Sequence, residues 1–124
     1  MTGNIEKFFN ELLPAAMLKY PEHFEMINMD GVFIITGEGG GQWYVNSSYS
    51  GLSVIQSVMQ GDLDRLTPGI PRSLIIMSAE DFLQNYQDSN TMMELYLDNK
   101  ITIESLDRGY EMFKIFSLVS QLAK

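Results

Sequence analysis

The chain has 124 residues, 45% of them hydrophobic and 19% charged, and a formal net charge of −8 from 16 acidic and 8 basic side chains. It contains no cysteine, which excludes disulfides, thiolate catalysis and cysteine-held zinc or iron–sulfur centres. The basic residues are scattered singly (Lys7, Lys19, Arg65, Arg72, Lys100, Arg108, Lys114, Lys124), and an acidic surface repels phosphate backbones, so nucleic acid is not an expected partner.

The length fits a single domain over residues 1–124, large enough for a core without staples. No apolar run approaches the roughly 20 residues needed to span a bilayer. The opening stretch MTGNIEKFF has neither a basic leader nor a long apolar run, so no secretion signal is expected and the cytoplasm is the expected compartment. The final QLAK is not an SKL-type address, so peroxisomal import is not expected. Nine methionines read either as core filler or as flexible thioethers lining a cavity for apolar ligands of variable shape.

Residues 4–20 carry Ile5, Phe8, Phe9, Leu12 and Leu13, the i, i+3, i+4, i+7, i+8 stripe of an amphipathic helix. Pro14 is expected to end or kink it, and Pro21 to close the segment. GVFIIT (31–36) and QWYVNS (42–47) are strand-like runs on either side of GEGGG. That glycine cluster has no following GK[ST] and contains Glu38, so a phosphate loop is set aside in favour of a hairpin turn. LSVIQSVMQG (52–61) is read as a third strand, with a helical face through Val54, Ile55 and Val58 as the alternative.

GDLDRLTPGIPR (61–72) reads as a loop. SLIIMS (73–78) is continuously apolar, as in a strand buried on both faces. SAED then forms a capping box at Ser78, opening a short helix through Phe82, Leu83 and Tyr86. A second cap is predicted at Thr91 with Glu94, and a left-handed C-cap at Asn99. KITIES (100–105) alternates as a half-buried strand. Asp107 is predicted to cap a last helix whose stripe is Met112, Ile115, Phe116, Val119 and Leu122, broadened by Tyr110 and Phe113. The order of elements predicts an α+β domain with helices covering one face of a sheet.

With SLIIMSAEDFLQNYQ and MMELYLDNKITIESLDRGYEMFKIF in place, the chain resembles the sterol carrier protein 2 (SCP-2) domains. In that family a strand of aliphatics runs into a capped EDF helix, and a GKIKIEGD strand leads to a final amphipathic helix. Glu80, Asp81 and Phe82 keep the EDF, and Lys100, Ile101, Ile103 and Glu104 keep most of the strand. The glycines flanking that strand are replaced by Asn99 and Ser105, Asp107 sits about a residue late, and Ser73 stands near a common acidic position. The Gly-rich turn with Trp43 and the amphipathic first helix extend the likeness over nearly the whole chain.

The resemblance implies an SCP2-like, five-stranded, mostly antiparallel sheet with helices on one face, enclosing an apolar cavity for a lipid-like molecule. The residues it would place on the cavity wall are Phe33, Ile35, Ile76, Met92, Met93, Tyr96, Ile103, Phe113 and Phe116, for each of which ordinary core packing is the alternative. The partner is then an apolar small molecule or lipid, with a homodimer as a further option. No metal or cofactor is called for, and the terminal helix is the expected lid. His23 is the single histidine and reads as a surface residue. Glu80 and Asp81 are explained by helix capping, and no nucleophile–base pair is evident. Non-enzymatic carriage of a fatty acyl, sterol or similar ligand is the leading expectation. The alternatives are an interaction or dimerisation module with a filled core, and an isomerase using Asp81 or Glu104 as base.

Overall fold

The computed structural model describes residues 3–49, 51–56, 72–86, 89–104 and 112–122. Residues 61–71 of the predicted loop 61–72, the end of the third segment, Ser105, the Asp107 cap, Tyr110 and the Leu122 side chain lie outside the described residues, while Arg72 already belongs to a strand.

The N-terminal stripe forms a helical run in three parts: α1 (Gly3–Lys7), a π turn (Phe8–Leu12) and α2 (Leu13–Lys19). Pro14 therefore does not end the helix. It has no N–H to give, and its ring would press on the carbonyl four residues back. The wider turn falls directly upstream, where the Leu13 N–H bonds back to the Phe8 carbonyl. The helical run does end ahead of Pro21, at Lys19, as expected, and Pro21 also opens the next element. It sits in the first turn of α3 (Pro21–Glu25), where its missing N–H costs nothing.

Strands β1 (Met29–Thr36), β2 (Gly41–Ser48), β3 (Gly51–Gln56), β4 (Arg72–Ser78) and β5 (Thr102–Glu104) form one sheet in the order β3-β2-β1-β4-β5. The pairing of β1 with β4 is parallel and the other three are antiparallel. The fold is thus α+β with a mostly antiparallel sheet, and residues 51–56 adopt the strand reading. Between β1 and β2, Gly37 and Gly39 have φ of 92° and 83°, values that favour glycine. At Gly40 a Cβ would fall 2.0 Å from the Ile35 carbonyl oxygen, so no other residue closes this hairpin as tightly.

Ser78 ends β4 and caps α4 (Ala79–Asn85): its hydroxyl accepts from the Asp81 N–H at 3.0 Å, as the capping box predicts. Helix α5 (Ser89–Leu97) begins before the predicted cap, so Thr91 lies inside its first turn. Ser89, Asn90 and Thr91 all have N-cap chemistry, and local sequence could not rank them. At its other end the Asn99 expectation holds. Asn99 has φ 65°, its N–H bonds to the Tyr96 carbonyl at 3.0 Å, and the Lys100 N–H bonds to the Leu95 carbonyl at 2.9 Å. These are the two bonds of a Schellman motif. Helix α6 (Lys114–Leu122) follows, with Ile115, Phe116 and Val119 buried on one stripe.

The sheet has two unlike faces. Met29, Phe33, Ile35, Trp43, Val45, Ile75, Met77 and Ile103 point inward and join Ile5, Phe8, Phe9, Leu13, Phe82 and Phe116 from the helices in one core. Val32, Ile34, Leu74 and Ile76 alternate onto the opposite face and are only half-buried.

Candidate functional site

The layer between the inner face and the helices is where an apolar molecule would have to sit, and aromatic rings dominate it. All seven phenylalanines of the chain are buried. Phe9 stacks on Trp43 with centroids 4.6 Å apart and planes 13° from parallel, and meets Phe33 at 5.3 Å. Phe116 on α6 lies 5.3 Å from Phe8, 5.8 Å from Phe33 and 5.6 Å from Phe82. Phe116 therefore ties the last helix to the first helix, the sheet and α4. Five methionines (Met17, Met29, Met77, Met92, Met112) complete the layer and are at most 4% exposed.

Of the nine residues assigned to the wall, Phe33, Ile35, Met92, Ile103, Phe113 and Phe116 lie in this core. Met93 and Tyr96 are half-buried on α5, with Tyr96 packed against the core's margin. Ile76 is elsewhere. It pairs with Ile34 and Thr102 on the outer face, and its neighbours Ile75 and Met77 hold the inward positions. In a strand whose residues are apolar on both sides, the pattern carries no phase, and a one-residue slip moves a side chain across the sheet.

Two polar features of the layer escaped sequence reasoning. The Trp43 indole N–H donates to Asn10 Oδ1 at 3.0 Å, and Asn10 Nδ2 donates to Gln56 Oε1 at 2.7 Å, linking the π turn to β2 and β3. The second is a pair of inner-face serines. Ser47 is fully buried and donates to the Phe24 carbonyl at 2.6 Å. Ser73 is 3% exposed, and its hydroxyl has no hydrogen-bond partner. On the outer face Asp30 is buried, with Asn46 and Arg72 as its strand neighbours. The only signal for any of these is a polar residue inside an apolar run.

Two grooves formed by described residues lie on the surface rather than within the layer. One, of about 490 Å³, is lined by Pro14, Met17, Leu18, Pro21 and Leu52 beside the edge strand β3. The other, of about 470 Å³, lies between Gly37, Ser78 and Leu83, with Glu38 and Glu80 on its walls. Asp81 lies in the first turn of α4, beyond the end of β4, and Glu104 is exposed on β5 opposite Leu74 near the other end of that strand, so these two carboxylates do not converge. His23 is exposed on α3, edge-on to Tyr20 at 6.2 Å. Among the described residues no helix is long and apolar enough to cross a membrane.

Among solved structures, the chain superposes on a UbiJ-SCP2 ubiquinone synthesis protein with a TM-score of 0.59, 14% identity, and coverage of 97% of this chain and 91% of the other. It superposes on the sterol carrier protein domain 2 of Helicoverpa armigera with a TM-score of 0.61, 15% identity, and coverage of 93% and 87%. The chain has an SCP2-like fold. No protein-family model and no curated protein matches the sequence. The likeness is therefore one of SCP2 architecture, at 14% and 15% identity.

Proposed function

We propose that this SCP2-like domain is a non-enzymatic carrier of an apolar, lipid-like molecule, acting in the cytoplasm. The molecule is held between the inner face of the sheet and α1, α2 and α6. The observation that carries the reading is the composition of that layer in a fold of this kind. Rings and five buried methionines form it, and no inner-face strand position is charged. Each buried CH₂ contributes about 0.8 kcal/mol, so ten carbons supply about 8 kcal/mol against the cost of moving side chains aside. Thioethers make that movement cheap, because unbranched side chains repack without strain. Two SCP2 neighbours, a ubiquinone synthesis protein and a sterol carrier protein domain, are named for apolar molecules, which agrees with this reading.

Helix α6 is the lid. It is joined to the rest by packing through Ile115, Phe116 and Val119, and its withdrawal uncovers Phe33 and Phe8 together. Trp43 reports on the layer because Phe9 stacks on it. Titration with a long-chain apolar probe is expected to change Trp43 emission saturably at one equivalent. Emission that drifts without saturation, or stays constant, contradicts the carrier reading.

The filled state of the layer favours a second reading, an interaction module whose core is complete without a ligand. Rings in mutual contact from Phe8 to Phe116 are the observation on its side. A chain that is dimeric and leaves Trp43 emission unchanged in the same titration has that role instead.

A further inference from the structure

Ser47 and Ser73 occupy equivalent settings on β2 and β4, yet only one is satisfied. Ser47 gives its proton to the Phe24 carbonyl. Ser73 is as deeply buried and its hydroxyl bonds to nothing. Buried polar groups are nearly always paired, and an exception calls for a reason.

The surroundings of Ser73 supply one. Its partner across the parallel pairing is Gly31, one strand spacing of about 4.8 Å away and on the same face. Gly31 leaves bare backbone there, and the side chain of Met112 fills the gap: a Cβ at Gly31 would lie 3.0 Å from Met112 Cγ and 3.1 Å from its Cε. Met112 comes from the turn that leads into α6, the proposed lid. Moving that turn takes Met112 off Gly31 and opens a notch with a backbone floor and one hydroxyl in its wall.

We infer that this notch is the polar end of the ligand site, with the Ser73 hydroxyl as anchor and Met112 as the plug of the empty state. The ligand it takes is a neutral lipid with one terminal hydroxyl or carbonyl. A hydroxyl matches one neutral oxygen, donating to it or accepting from it. Among the described residues, the inward strand positions carry no charge to pair with a carboxylate stripped of its water there. The inference rests on the carrier reading and narrows it.

The test compares the full chain with its Ser73→Ala variant, reading Trp43 emission in titrations with dodecanol, dodecanoate and dodecane. The wild type is expected to bind dodecanol at least about tenfold more tightly than either of the others, the scale of one well-placed hydrogen bond. Ser73→Ala is expected to erase that preference and leave dodecane binding unchanged. The ligand-free variant should melt at or above the wild-type temperature, because an unsatisfied hydroxyl has been removed. A preference that survives in Ser73→Ala, or dodecanoate bound tightest, overturns the anchor alone and leaves the carrier reading standing. A fall in melting temperature of about 4 °C or more marks Ser73 as a structural residue and also overturns the anchor. If none of the probes binds, anchor and carrier reading fall together.

Discussion

Phe33 and Ile34 are neighbours in one strand and live in different environments. Phe33 is fully buried and touches Phe9 and Phe116. Ile34 is half-buried on the other face, between Gln42 and Ile76. The same contrast runs along the sheet, and it separates residues that hold the helices from residues that complete a strand. A sheet with one face sealed by rings can lend that face to a ligand only by moving a helix. The opposite face could be altered without touching the aromatic layer.

The strongest way to test this division is to truncate each side. Phe33→Ala is expected to cost about 3–5 kcal/mol in urea unfolding, because its place among three elements cannot collapse. Ile34→Ala should cost less, about 1–2 kcal/mol, since part of its surface is already solvated. Equal losses would mean that the outer face is as firmly packed as the inner.

A smaller effect sharpens the account of how the N-terminal run is held on the inner face. Asn10→Ala leaves the Trp43 N–H buried without its acceptor and is expected to cost about 1–3 kcal/mol. Trp43→Phe removes the donor together with the indole, so only the packing loss should remain. The double variant should then be less destabilised than the two single losses sum to, as a double-mutant cycle would register. Additive losses would show that the Asn10–Trp43 bond contributes nothing.

The smallest expected change lies away from both faces. Asn99 holds φ 65° at the end of α5, so Asn99→Gly should raise stability by up to about 1 kcal/mol, and Asn99→Ala should lower it by a similar amount. Thermal melts of the two variants that shift in the same direction would contradict the cap assignment.

These contrasts also mark what the sequence made legible. The helix stripe of Ile5, Phe8, Phe9 and Leu13 and the alternation of Ile101 and Ile103 came through, because periodicity records which side is wet. So did the turn chemistry of Gly37, Ser78 and Asn99, because those conformations restrict the residue type. The facing of β4 did not come through. Leu74, Ile75, Ile76 and Met77 are all apolar, so Ile76 could be placed inward when Ile75 and Met77 are the inward pair. Pro14 carries the signal of an end or a kink, and sequence alone does not show that a π turn upstream lets the helix continue through it. Nor could the start of α5 be found among Ser89, Asn90 and Thr91. Ser73 had no local signature at all, since whether a serine in a strand is satisfied depends on residues distant in the chain.

The central claim is that the layer between sheet and helices holds an apolar molecule. Mass spectrometry of the freshly purified chain, sprayed native and then denatured beside an organic extract of the same sample, tests it most directly. The account predicts a discrete excess mass in the native spectrum that is lost on denaturation and reappears in the extract as a neutral lipid. A bare polypeptide mass, with Trp43 emission that does not respond to added lipids, would contradict it.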